Sequence, residues 1–180
     1  MRRVLTAAAA CLLMWCSCND GDVNTTYCSL PARLVVENVQ QAPVLYTACQ
    51  SMDEFCTVTA ESSRFAFTSQ TGRTSYIDLT AYSGYYLGLS GFIVGKPSIP
   101  EMGKDVSTVV CYDLACSNCY QDYHITKPLV LQSGGYAYCK NCCRTYQLTN
   151  SGIVSKGNAG RNLYRYRVSY VGYALVINNG

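Results

Sequence analysis

The sequence predicts an all-β fold, a small antiparallel barrel or sandwich, and three observations carry that prediction. The 180 residues include 16 Tyr and 14 Gly, a composition that suits pleated strands and tight turns better than helices. Short apolar or alternating runs recur between breaks rich in Gly, Ser and Asn. No stretch keeps helical periodicity over about 11 residues, apart from a weak candidate at Ala42–Met52.

The elements follow in chain order. Leu34-Val35-Val36, ahead of Glu37-Asn38, reads as a first strand. Phe55–Thr59 and Arg64–Ser69 read as a strand pair turning at Glu61-Ser62-Ser63. Tyr85–Val94 contains Gly88 and Gly91, which weaken a strand unless the backbone bends or something packs close. Thr108–Tyr112 is a β-rich run that leads into Cys116-x-x-Cys119. Leu129–Leu131 is an apolar run ended by Ser133-Gly134-Gly135, and Tyr136–Tyr138 leads into Cys139-x-x-Cys142. Tyr164, Tyr166, Val168 and Tyr170 alternate with Arg165, Arg167 and Ser169, the period of a strand with one buried face. Gly172 turns the chain, and Ala174–Ile177 closes the sheet.

The N-terminus reads as an address. Met1-Arg2-Arg3 is a positive start, Val4–Trp15 is apolar, and small Ser17 precedes Cys18. Cleavage before Cys18 and lipidation of its sulfur would make residues 1–17 a lipoprotein signal, with Trp15 a departure from the usual Leu. The alternative is ordinary secretion with Cys18 as a thiol. The acidic Asn19-Asp20-Gly21-Asp22 resembles surface-export tails of Bacteroidetes lipoproteins. Residues 18–30 are expected to be the lipidated Cys and a flexible tether, and 31–180 the folded domain. The expected location is the cell envelope, on the outer membrane, held by lipid without spanning it.

Charge narrows the partners. The net charge is +3, and removing residues 1–17 leaves 12 Lys and Arg against 11 Asp and Glu. A nearly neutral domain has little long-range pull on nucleic acid. Arg161, Arg165 and Arg167 read as a solvated strand face. A single His and the lack of HExxH or GxSxG leave hydrolase chemistry without its parts.

Cysteines carry the chemistry. Of 12, Cys11 and Cys16 leave with the signal and Cys18 takes lipid, so nine remain. Cys116, Cys119, Cys139 and Cys142 form two CxxC pairs with 19 residues between them, the spacing of a metal site. Two facing CxxC turns supply four thiolates suited to zinc, to a single iron, or to a [2Fe-2S] cluster. Disulfides are the alternative in an oxidising compartment. Cys49 and Cys56 are candidates for a bridge, and Cys143 for a partner of Cys28 or Cys111. His124 is a candidate outlying ligand, though a surface His fits it better. Lys140 and Arg144 flank the second pair and could lower thiolate pKa values.

CKNCCRTYQLTNSG at 139–152 resembles the second half of a Rieske motif, in which CxxH is followed by Gly, an aromatic residue and a turn ending in Gly. Gly157–Gly160 and Leu163–Val168 resemble the loop and strand that follow it. Cys116-Ser117-Asn118-Cys119 stands where that family has CxH. FIVGKP and VCYDLACSNCY resemble Rieske-like lipoproteins of gut Bacteroidetes. The resemblance implies a Rieske-like barrel with a knuckle subdomain at about 111–150. Cys119 and Cys142 replace the His ligands, which implies a lower potential and no proton coupling. Cys143 replaces a Gly and strains the turn if that position needs a positive φ.

Three functions follow as expectations. The first is a non-enzymatic, membrane-anchored binding module with a structural metal and an unknown protein partner. The second is an electron carrier, and the third a thiol–disulfide protein.

Overall fold

Alternation builds the first strand. In β1 (Ala32–Val36), Ala32, Leu34 and Val36 are buried while Arg33 and Val35 face outward, the two-residue period of a pleated strand. The structure is a computed structural model and describes residues 27–79, 84–99 and 108–179. The signal, Cys18 and the tether up to residue 26 lie outside the described residues.

After a short 3-10 turn, α1 (Pro43–Gln50) realises the weak helical pattern, with Pro in its first turn where no amide donor is needed. Next come β2 (Phe55–Glu61), β3 (Arg64–Ser69) and β4 (Thr74–Asp78). The first two pair from Glu61↔Arg64 to Cys56↔Ser69, so Ser62-Ser63 forms a two-residue turn. The Tyr85–Val94 run is not one strand. It divides into β5 (Tyr86–Leu87) and β6 (Phe92–Gly95), because Gly88 and Gly91 bend the chain at positive φ between them.

The chain then forms β7 (Val110–Asp113), α2 (Ser117–Tyr123), β8 (Val130–Gln132), β9 (Tyr136–Tyr138), β10 (Thr145–Gln147) and β11 (Ile153–Lys156). Last are β12 (Arg165–Val171) and β13 (Ala174–Asn178), joined by a two-residue turn at Gly172-Tyr173. Among the described residues no helix is long and apolar enough to cross a membrane.

Nine strands form one antiparallel sheet in the order β4-β3-β2-β6-β7-β12-β13-β1-β5. β12 serves two neighbours. Its first residues, Arg165 and Tyr166, face β7, and Arg167–Val171 face β13. The sheet curls, since the ring of Phe65 on β3 meets Tyr85, beside the far edge strand, with centroids 4.9 Å apart. A second sheet, β11-β10-β9-β8, is a four-stranded antiparallel meander.

Two apolar cores result. The larger lies within the curled sheet and holds Leu34, Phe65, Phe92, Val94, Cys111 and Tyr166. The smaller lies between β6–β7 and the meander and holds Ile93, Tyr112, Cys116, Cys119, Cys139 and Tyr146. β6 and β7 are therefore buried on both faces, which explains their unbroken apolar runs. Each large side chain so buried contributes roughly 1.5–3 kcal/mol.

The N-terminal approach is seated on β12. The Cys28 amide donates to Arg165 O at 2.9 Å, and the Arg165 and Arg167 guanidinium carbons lie 5.5 Å and 5.4 Å from the Tyr27 ring centre. Arg165 is buried, which corrects its reading as part of a solvated face. Its guanidinium is covered by Tyr27 and lies over Tyr112.

Candidate metal centre

The first pair of cysteines straddles the start of a helix. β7 ends at Asp113, whose buried carboxylate accepts from the amides of Ala115 (2.7 Å) and Leu89 (2.8 Å) and from the Tyr166 hydroxyl (2.5 Å). Burial pushes this carboxyl above its ordinary range, against the pull of those donors. The turn so fixed delivers Cys116 to the cap of α2, where its amide donates to Lys127 O. Cys119 follows one helical turn later, so both sulfurs share a side. The helix corrects the expectation of two facing CxxC turns, since the first pair is on α2.

The second pair is on a hairpin turn. Cys139 leaves β9, its amide donates to Arg144 O, and the Cys143 amide returns to Cys139 O, both at 2.9 Å. Closing that turn places Cys143 at φ 57, a left-handed conformation that costs a non-glycine residue about 1 kcal/mol.

The two pairs converge. The sulfurs of Cys116, Cys119, Cys139 and Cys142 all lie within 4.8 Å of one another. Cys116 Sγ is 3.6 Å from Cys142 Sγ, and Cys119 Sγ is 3.6 Å from Cys139 Sγ. Four thiolates around one zinc or iron at about 2.3 Å form a tetrahedron with edges of about 3.8 Å. The set fits one ion.

Second neighbours tune the sulfurs. Tyr146 Oη lies 3.1 Å from Cys116 Sγ. It also accepts from Asn118 Nδ2 at 2.8 Å, which leaves its own proton for the sulfur. Asn118 is locked in turn, donating to Arg161 O and accepting from Arg161 N, both at 2.9 Å. Asn141 Nδ2 donates to Cys119 Sγ at 3.4 Å. None of these partners follows from the CxxC spacing. The one sequence signal was the aromatic position of the motif, which is Tyr146.

Burial divides the four cysteines. Cys116, Cys119 and Cys139 are buried and Cys142 is half-buried. Burial pushes the Cys116 and Cys119 thiols up. Burial also opposes ionisation of Cys142, but the amide and guanidinium of Arg144 and the neighbouring thiols outweigh it and bring that thiol down to about 7. Arg144 is held over the site by donating to Asn158 O and Ala159 O at 3.0 and 3.3 Å. Lys140 is exposed.

The other candidates fall outside the cluster. His124 is exposed, caps α2 in a left-handed conformation and packs edge-on against Tyr120. Cys143 is exposed on the knuckle, whereas Cys28 and Cys111 belong to the larger core, so neither is its partner. Cys49 and Cys56 carry no bridge. Burial pushes Cys49 up to about 12 and Cys56 well above its ordinary value, so both stay protonated.

No family model matches this sequence, and comparison with curated proteins gives no match.

Proposed function

We propose that the chain is an exported lipoprotein, anchored through Cys18 to the cell envelope, whose Rieske-like domain uses a single four-thiolate metal ion as a structural clamp. The observation that carries the metal reading is the convergence of four cysteine sulfurs, three of them buried, within 4.8 Å. The clamp joins the loop after β7 to the β9–β10 turn, so it ties the meander to the larger sheet. A closed four-sulfur shell leaves no open coordination position for substrate, which supports a non-enzymatic role. Zinc is the resident ion on this reading, and the binding partner is a protein.

A single iron in an electron carrier is the second reading. It is favoured by the half-buried Cys142, which brings one ligand near the surface, and by the donors aimed at Cys116 and Cys119. Metal analysis of the full chain, purified from its own host without refolding, tests both. One zinc per chain in a colourless protein is the expected result. Visible absorbance with one iron per chain replaces the clamp by the carrier. Metal-free protein with freely titrating Cys116, Cys119, Cys139 and Cys142 overturns the metal reading altogether.

A further inference from the structure

The charge of the molecule is segregated. Residues 108–179 carry seven Lys and Arg against two acidic residues, Asp113 and Asp122, and Asp113 is buried. Residues 27–79 carry the opposite excess, Arg33, Arg64 and Arg73 against five Asp and Glu. The small net charge of the whole chain therefore hides a basic end, built of the meander, α2 and the start of β12. A filled metal site, a divalent ion held by four thiolates, is itself negative, and the positive charges still exceed it.

Five of these basic side chains, Lys127, Lys140, Lys156, Arg161 and Arg167, are exposed. Among the described residues none of the five is in an ion pair. Four are set around the cysteine knuckle. Lys140 is in the Cys139–Cys142 turn, and Lys156 of β11 pairs with Thr145, just past that turn. Arg161 holds Asn118 of α2 through its backbone, and Lys127 O accepts from the Cys116 amide at 2.8 Å.

The tether arrives at the same end. The Tyr27 ring lies against Arg165 and Arg167, and Arg165 also lies over Tyr112 of the smaller core. The chain from Cys18 therefore reaches the fold on the meander side of β12. The nine steps from Cys18 to Tyr27 span at most about 30 Å when fully extended. With Cys18 in lipid, a bilayer lies within that reach of the basic end. Tyr123, which closes α2, and Ile125 just after it are 66% and 36% exposed, and such side chains suit the headgroup boundary.

We propose that this basic end docks on the anionic lipid headgroups of the bilayer that holds the anchor, so that the cysteine knuckle faces the membrane. Each Lys or Arg near an anionic surface adds to binding, and salt screens it. The orientation rests on the Cys18 anchor of the proposed function; the charge excess does not.

Vesicle sedimentation of the full chain carrying Cys18→Ser, which cannot take lipid, tests the docking face. Binding to mixed phosphatidylcholine–phosphatidylglycerol vesicles is expected at low salt, weakened at least tenfold on pure phosphatidylcholine and at least tenfold by high salt. Adding Lys140→Glu, Lys156→Glu and Arg161→Glu together weakens it at least tenfold, and the corresponding Gln set weakens it in the same direction, both with the melting temperature unchanged. Arg33→Glu with Arg73→Glu leaves it as it was. Equal binding to both kinds of vesicle overturns the proposal. So does full binding by the Glu set, or an equal loss in the Arg33 and Arg73 variant. Capture by heparin that vesicles cannot compete away assigns the face to a soluble polyanion and also overturns it. The mass of the wild-type chain from its own host reads the anchor separately. A diacylglyceryl adduct on Cys18 without vesicle binding by the Ser variant removes the docking face alone, and vesicle binding without the adduct keeps the face and removes the anchor.

Discussion

At the scale of single residues, Cys142 and Cys116 contrast most. Both belong to the four-sulfur cluster, yet Arg144 draws one thiol down to about 7 while burial drives the other up. In metal-free protein the thiolate of Cys142 should therefore form as pH rises through 7, well before those of Cys116 and Cys119. Pulsed iodoacetamide labelling, read peptide by peptide in the mass spectrometer, should give a half-point near pH 7 at Cys142. Cys116 and Cys119 should stay unlabelled until well above their ordinary value of 9.0. Arg144→Gln should move the Cys142 half-point upward toward 9. The linkage has a definite sign: because ionised Cys142 is favoured in the folded state, its contribution to stability is complete above pH 9 and fades as pH falls through 7. Equal labelling of all three sites at pH 7.5 would contradict the electrostatic asymmetry.

At the scale of elements, the β5–β6 turn supports the metal loop from a distance. Gly88 holds φ +64, and a side chain there would strike both Asp113 Oδ2 and the Tyr166 hydroxyl. Gly88→Ala should destabilise the fold by about 2 kcal/mol or more, read as a lower denaturant midpoint with unchanged slope. The same region shows what sequence could reveal. Alternation in Tyr164–Tyr170 exposed β12, and the serine turn exposed the β2–β3 hairpin, because each is a local pattern. β4 escaped notice, since Thr74–Asp78 buries only Ile77 and so lacks a strong apolar signature. β10 and β11 were missed because three or four residues are too few to show a period. α2 was missed because SNCYQDY has no apolar stripe. Cys116 at its N-cap makes no side-chain cap bond, and the helix is held instead through Asn118, which is clamped to Arg161. The four clustered cysteines were legible from spacing alone. Arg144, Tyr146 and Asn118 owe their roles to folding that brings 118 beside 146 and 161, which no local pattern records.

At the scale of the whole molecule, the two cores share the wall formed by β6 and β7, so the proposed metal centre and the larger sheet should melt together. Structural zinc contributes on the order of 10 kcal/mol in small domains, and about 1 kcal/mol moves the midpoint by roughly 2–4 °C at this size. Stripping the metal with a strong chelator should lower the melting temperature by more than about 10 °C while keeping a single calorimetric transition. Two separated transitions would show that the compartments unfold independently. The shared wall has a genetic consequence too. Cys111 looks into one interior and Tyr112 into the other, so insertion or deletion of one residue in β7 would exchange thiol and phenol between compartments. Drift in this strand is thus confined to substitution, and lineages that lengthen or shorten the protein must do so outside it.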